Sequence, residues 1–448
     1  MRGFLVRIVS RALVGVLAIG AGSAADTRSL SLQEAIDLGL ANNPALAAER
    51  AGTDAADQKL LAARGLRWPR VIAEAALRRS DHQVVVFGDK LTAGEFTADD
   101  FLLDNLNHPD AQTHASAALA ISAPLYTSGR LRWGIESARQ EAVSARALTA
   151  SAESDLVAGI TSAYFGVQVA DAAAKVATQA VADDARDEEI AVARYDAGAS
   201  LKSDQLRARL LLLARQRDLE RRRADLALAR SHLARLIAID PDETIELVTT
   251  LETPTGATPP LAEWTDIAMT RSPHLAASRS HARAAESGAS GARAALGPEV
   301  NGFARYERNA GGWDSGEGSY LVGIALQWTA FDRARAARIA EAAAARRGAD
   351  ARVRADEDQV RLEVERAWRD VRVADTTLLL SREAVAAAAE ARRIAVERYE
   401  GGLFPLTDLL DIETELVDAR HQELVALYDA VMGRVRLEQV TGSLEVPR

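Results

Sequence analysis

The 448-residue chain contains no cysteine, which excludes disulfide staples, thiolate metal centres, a cysteine nucleophile and a lipid-modified N-terminal cysteine. Aromatics make up only 5% of residues and methionine occurs three times, so a large mixed core of the ordinary globular kind is not expected. Basic side chains are outnumbered 54 to 64, and the net charge of −10 excludes the basic surface on which nucleic-acid affinity would rest. The seven histidines fall into no zinc motif. After residue 25 no stretch approaches 18 uninterrupted apolar residues, so any membrane crossing has to use strands. Proline is missing from about Leu131 to Ala197 and again from about Arg335 to Glu400. At ~1.5 Å per residue each run is long enough for a helical rod of roughly 100 Å.

The first 25 residues read as an export signal. Arg2, Arg7 and Arg11 form a basic head, Ala12 to Ala21 an apolar run, and Ser23-Ala24-Ala25 a small-residue cleavage site. The alternative, an N-terminal anchor, needs ~20 apolar residues and the run is about half that. Cleavage leaves 51 basic against 64 acidic residues.

What organises the rest is repetition. Leu32-Gln-Glu-Ala-Ile-Asp-Leu with Asn43-Pro44 recurs as Leu261-Ala-Glu-Trp-Thr-Asp-Ile with Ser272-Pro273, and Pro69 as Pro298, at an offset of 229. Farther along, Tyr164, Asp171, Arg194-Tyr195-Asp196-Ala197-Gly198 and Asp204 recur as Trp368, Asp375, Arg398-Tyr399-Glu400-Gly401-Gly402 and Asp408, at an offset of 204. The chain is a tandem duplication whose first copy carries 25 extra residues, mostly in the polar stretch from Arg78 to His114.

Each copy reads as helix, hairpin, very long helix and returning helix. The first repeat spans 26–240, with a hairpin at about 70–126, a long helix at 130–197 and a returning helix at 203–237. A linker rich in Pro and Thr follows at 241–260. The second repeat spans 261–448, with a hairpin at about 299–329, a long helix at 333–400 and a returning helix at 406–440. The hairpins alternate with period two, most clearly Tyr320, Val322, Ile324, Leu326 and Trp328 against Ser319, Leu321, Gly323, Ala325 and Gln327. Of 21 aromatics, 12 lie within Trp68–Trp133 and Phe303–Phe331. Phe87, Tyr126, Trp133, Tyr306, Trp313, Tyr320, Trp328 and Phe331 sit at or beyond strand ends, where a membrane barrel carries its aromatic girdles. A soluble sheet with aromatic rims is the competing reading. The rods have Ala-rich faces suited to close coiled packing, and Arg186-Asp187-Glu188-Glu189 reads as a solvated face.

Four strands cannot close into a barrel, and an open edge is not tolerated in lipid, so the chain is expected to oligomerise; three copies give twelve strands and a channel. Pro124-Leu-Tyr-Thr-Ser-Gly129-Arg130, its echo Trp328-Thr-Ala-Phe331-Asp-Arg333, the Asn43-Pro44 head, the duplication and both Arg-Tyr-x-x-Gly turns together resemble the outer-membrane efflux protein family, the TolC-like channel-tunnels. The resemblance covers essentially all of the chain after residue 25. It implies an α+β membrane protein of a Gram-negative outer membrane. Three chains would form a twelve-stranded β-barrel continued by a long α-helical barrel into the periplasm, with an equatorial region that takes in Ile239 to Pro260 and the residues after Val440.

The family's function concentrates at the far helical tips, and the resemblance assigns roles there residue by residue. Arg194, Tyr195, Gly198, Ala199 and Ser200 in the first tip, and Arg398, Tyr399, Gly402, Leu403 and Phe404 in the second, match the turns on which a periplasmic adaptor docks. Leu403 fits the aliphatic position after the glycine, whereas Ala199 departs from it. Asp408 and Asp411, three apart on one helical face, match the carboxylates of the closed entrance, and Asp204 is their first-half counterpart. A plain helix start is the competing reading for Asp408. The family's gating arginine and threonine are replaced by Phe404 and Leu403, which suggests apolar packing in place of a hydrogen-bond lock. The function implied is a passive exit duct, not an enzyme and with no cofactor. Its partners would be an adaptor and an inner-membrane transporter of the RND, ABC or MFS type. A coiled-coil scaffold without transport is the alternative. The acids of the extra loop, Asp99, Asp100, Asp104 and Asp110, lack metal-ligand periodicity, so that loop is expected to be solvated or self-packed.

Overall fold

The computed structural model describes residues 28–445 apart from 242, 244, 255, 257 and 312–315. The proposed signal segment and Trp313 therefore lie outside the described residues. The first copy comprises β1 (Arg28–Leu30), α1 (Leu32–Asn42), α2 (Pro44–Gly65), β2 (Arg70–Ser80), α3 (Gln83–Ala93), a 3₁₀ turn (Ala98–Phe101), α4 (Leu103–Asn107), β3 (Gln112–Tyr126), α5 (Arg130–Asp196) and α6 (Lys202–Leu236). The second comprises β4 (Ile245–Leu247), α7 (Leu261–Arg271), α8 (Pro273–Ala294), β5 (Glu299–Ala310), β6 (Glu317–Gln327), α9 (Arg333–Glu400) and α10 (Leu406–Thr441).

Local chemistry sets the helix boundaries. Ser31 and Glu34 form a reciprocal capping box at the start of α1. Asn43 ends α1 and caps α2, accepting from the backbone N–H of Ala45 at 2.9 Å, with Pro44 at the first helical position. Its amide also donates to Leu236 O at 3.0 Å, which fastens the head of the repeat to the end of the returning helix.

The duplication is visible as repeated geometry. Arg50 donates to Leu40 O at 2.8 Å and to Glu153 Oε1 at 2.8 Å; Arg279 donates to Met269 O at 2.8 Å and to Glu357 Oε1 at 2.7 Å. These partners are displaced by the two sequence offsets. The length difference between copies falls in one place: 31 residues (81–111) join β2 to β3, whereas six (311–316) join β5 to β6.

Each rod is packed along its length by shorter helices. α5 lies against α6 toward one end and against α2 and α8 toward the other, and α9 lies against α10, α8 and α7. One 18-residue window of α5 is apolar enough by composition to cross a membrane, and half of it is buried inside the protein. Its helix supplies Val157, Ile160, Tyr164 and Val167 to the largest apolar cluster, together with Leu30, Ile36, Leu233 and Ile237. That cluster sits under the two-stranded parallel sheet of β1 and β4, which sequence periodicity does not reveal because each strand has three residues. Tyr164 is fully buried; its hydroxyl donates to Leu30 O at 2.8 Å and accepts from Thr249 N–H at 2.9 Å. Tyr164→Phe strands the Thr249 N–H, at about 1–3 kcal/mol, while Leu30 O keeps the Val248 N–H at 3.1 Å. We expect a lower thermal-unfolding midpoint and faster proteolysis near β1; an unchanged midpoint would refute this account of the β1–β4 sheet.

Candidate channel wall and helical tips

The four longer strands form one antiparallel sheet in the order β2-β3-β5-β6, with β2 and β6 at its edges. Register sorts their side chains into two unlike faces. Leu77, Ala75, Ala73 and Val71 of β2 lie opposite Ala115, Ala117, Leu119 and Ile121 of β3. These continue across Tyr306, Ala304 and Gly302 of β5 to Tyr320, Val322 and Ile324 of β6. This face is apolar from edge to edge between the Tyr306–Tyr320 row and the helix-side end, with Arg308 entering only beyond Tyr306, and it is open: Ile324 is 71% exposed and Tyr320 83%. Water does not support an uncovered apolar patch of this kind on a monomeric protein. Tyr320 and Trp328 share the face eight residues apart, about 26 Å of strand, which matches the height of a lipid-facing band between girdles. Tyr126, Trp328 and Phe331 mark its helix-side end, all exposed.

Two aromatics read as girdle residues lie elsewhere. Trp133, in the first turn of α5, is half-buried, and its Cβ abuts Gly291 of α8. Phe87 belongs to a cluster of three rings in the long loop, 4.8 Å from Phe96, which is itself 5.2 Å from Phe101.

The opposite face of the sheet is polar. Arg305 donates to Glu74 Oε2 at 2.9 Å and to Glu307 Oε2 at 2.8 Å, reaching over the small side chains of β3. The long loop folds onto this face: Asp89 of α3 accepts from Arg78 of β2, and the buried His114 ring lies 3.8 Å from Asp89 and hydrogen-bonds Asn309 at 3.1 Å. Asp100 is engaged by Lys90 and by Thr97 N–H. The loop is thus self-packed, and acids such as Asp89 and Asp100 are spent on internal cations.

At the far end of the rods the two tips have the same backbone. Gly198 and Gly402 adopt φ of 72° and 73°, left-handed values that cost a residue with a Cβ roughly 1–2 kcal/mol. In each tip the next residue donates back five positions, Ala199 N–H to Arg194 O and Leu403 N–H to Arg398 O, at 2.8 and 3.0 Å. This closes the last carbonyls of α5 and α9. The side chains differ. Leu403 is 83% exposed, and Arg398 and Tyr195 also face solvent, with the Lys202 ammonium 4.8 Å from the Tyr195 ring.

Tyr399, by contrast, is only 4% exposed, so it is a packing residue rather than a docking surface. It carries Arg194, whose guanidinium lies 4.2 Å over the ring and donates to the terminal carbonyls of Tyr399 and Glu400 of α9. Burial pushes the Tyr399 phenol above its ordinary pKa. Phe404 packs beside it on Leu406, Leu409, Leu410 and Ala191. The first tip is therefore latched to the second by Arg194, while Phe404 fills the apolar seat. Sequence reasoning placed Arg194 in the tip but could not see that its partners are carbonyls on the other copy.

The three aspartates of the entrance reading are not equivalent. Asp408 and Asp411 are exposed on one face of α10, one turn apart. Asp408 accepts only from the Thr407 hydroxyl, at 3.1 Å, and caps no backbone N–H. Asp204 is half-buried and accepts from Leu201 N–H at 3.3 Å, so its carboxylate closes the start of α6.

A further acidic group was not visible in the sequence. Asp187, read there as part of a solvated run, points inward with Asp184 toward Glu413 of α10, and all three are buried. Burial, set against the attraction of Arg215, pushes Asp184 up to about 6. Burial and the neighbouring Asp187 carboxyl push Glu413 up strongly.

The sequence profile of the family described as outer membrane efflux protein matches residues 35–238 and 264–443. No curated protein sequence matches the chain. Among solved structures, the outer membrane protein VceC from Vibrio cholerae is 20% identical, covers 92% of this chain and 97% of its own, and superposes with a TM-score of 0.78. A membrane protein from Pseudomonas aeruginosa gives 20% identity, 92% and 93% coverage and a TM-score of 0.80. The MtrE outer membrane channel of Neisseria gonorrhoeae, in its open state, gives 20%, 93% and 90%, and 0.77. At that identity the likeness speaks for the fold; the two profile matches, one per repeat, carry membership. The chain belongs to the outer membrane efflux protein family.

Proposed function

We propose that this outer-membrane efflux protein works as a homotrimeric exit duct, coupled through a periplasmic adaptor to an inner-membrane transporter. The observation that carries the reading is the sheet with one apolar and one polar face, open at β2 and β6, from whose ends two rods of roughly 100 Å project. Three copies pair β6 of one chain with β2 of the next, seal twelve strands against lipid, and turn the Arg305 face toward a bore. The rods prolong that bore into the periplasm. Asp408 and Asp411 from three chains then crowd six carboxylates at its narrow end, which favours cations and opposes anions. Energy comes from the transporter, since the duct needs only to open.

The exposed tips are where the adaptor seats. Leu403 is the apolar anchor, and Ala199 offers a smaller one at the same turn. Leu403→Asp should reduce capture of the native adaptor at least tenfold, while Ala199→Asp should reduce it about two- to threefold, in keeping with the dominance of large buried anchors. Co-purification with tagged adaptor measures both. Equal capture by Leu403→Asp and the native chain would overturn the docking assignment. Reconstitution in a planar bilayer tests the duct itself: a cation-preferring, low-conductance channel supports it, and the absence of any current from folded trimers favours a scaffold instead.

A further inference from the structure

Asp184 and Asp187 lie three residues apart on one face of α5, and Glu413 reaches them from α10. One carboxylate oxygen from each lies within 4.8 Å of the others. The three residues are 3%, 6% and 3% exposed; Asp187 Oδ2 and Glu413 Oε2 have no hydrogen-bond partner, and Asp184 Oδ2 is met only by the Arg215 guanidinium at 3.4 Å. Two cations attend the group from outside. Arg392 of α9 donates from Nε to Glu413 Oε1 at 3.0 Å and lies 3.6 Å from Asp183, while Arg215 of α6 lies 3.4 Å from Asp184 and donates to Thr414 at 2.8 Å. Four carboxyls face two guanidiniums, so acids outnumber bases in a largely dry interface. Carboxylates in that state are costly unless something positive joins them.

A hard divalent ion answers both counts. It brings two positive charges, takes oxygen ligands alone, and at bond lengths of about 2.3–2.6 Å spans roughly 4.6–5.2 Å between opposite ligands. We propose that Asp184, Asp187 and Glu413 form a divalent-cation site of the calcium–magnesium class that ties the first coil, α5 with α6, to the second, α9 with α10. The site stands about 15 Å above the first tip, ten residues from Ala197. With the ion in place the two coils are fixed to each other at that level, so any splaying of the tips bends the segment below it.

The test uses the full-length trimer in detergent at neutral pH. The background carries Asp408→Asn and Asp411→Asn, which removes the carboxylates proposed to crowd at the entrance. Mn²⁺ is titrated and followed by loss of the free-ion signal in electron paramagnetic resonance. The expected result is one ion per chain, displaced by Ca²⁺ or Mg²⁺. Glu413→Gln or Asp187→Asn, each nearly isosteric, should weaken binding at least tenfold while the trimer is retained on gel filtration. The same variants should lose the rise in thermal midpoint that Ca²⁺ gives the parent. No binding by the parent up to about 1 mM, the weak end of natural calcium sites, would overturn the proposal. So would equal binding by parent and variants; protons alone would then hold the group together.

Discussion

Replacing Asp408 and Asp411 together by alanine should raise single-channel conductance several-fold, erase cation preference, and weaken block by multivalent cations at least tenfold. The size of the effect follows from placement. Both carboxylates are exposed on one turn of α10 and neither is spent on a helix cap, so in the proposed trimer all six would be free to act on the bore. A multivalent ion is attracted by their sum, and in a narrow passage of low effective dielectric that sum is screened far less than on an open surface. Alanine is also the smaller side chain, so the entrance widens as its field is removed. Asp204→Ala supplies the contrast. Its carboxylate is held by Leu201 N–H, so it should cost some stability at the start of α6 and leave conductance within about twofold. Unchanged currents in the double variant would remove Asp408 and Asp411 from the entrance.

The second large effect belongs to the sheet. Ile324 lies midway between Tyr320 and Trp328 on the apolar face, and Ala325 is its neighbour on the polar face. Arginine at a lipid-facing midplane position costs about 2–4 kcal/mol, falling to near zero toward the interfaces. Ile324→Arg should therefore lower the temperature at which trimers dissociate in lipid and cut recovery from the outer membrane. Ala325→Arg should assemble normally and alter ion selectivity. In a sheet wetted on both faces the two substitutions would behave alike, and that outcome would be incompatible with a barrel wall.

The parts of this architecture legible in the sequence are those written as long-range pattern. Proline-free runs gave the rods to within a few residues, period-two alternation gave β6, and the offsets of 229 and 204 located the insertion that the 31-residue loop contains. What stayed hidden is what depends on a partner far along the chain. β1 and β4 are three residues each and exist because they pair with one another over Tyr164. α3 and α4 form inside a polar stretch because Phe87, Phe96 and Phe101 find each other and Asp89 finds Arg78. Asp187 sits in a run of charges whose average is hydrophilic, and only the approach of α10 shows that this one turns inward. Likewise the aromatic count pointed to the four-stranded sheet, yet could not separate Tyr320, which is exposed, from Trp133, which packs on α8.

The matched arginine clamps of the two repeats, Arg50 with Glu153 and Arg279 with Glu357, bear on stoichiometry. In the proposed trimer, near-copies in series present six almost interchangeable staves to the adaptor. The rim, however, alternates: a leucine follows the turn glycine in one stave and an alanine in the next. On the proposed docking surface, strong and weak berths would then follow one another in strict succession, so the stronger set should fill first.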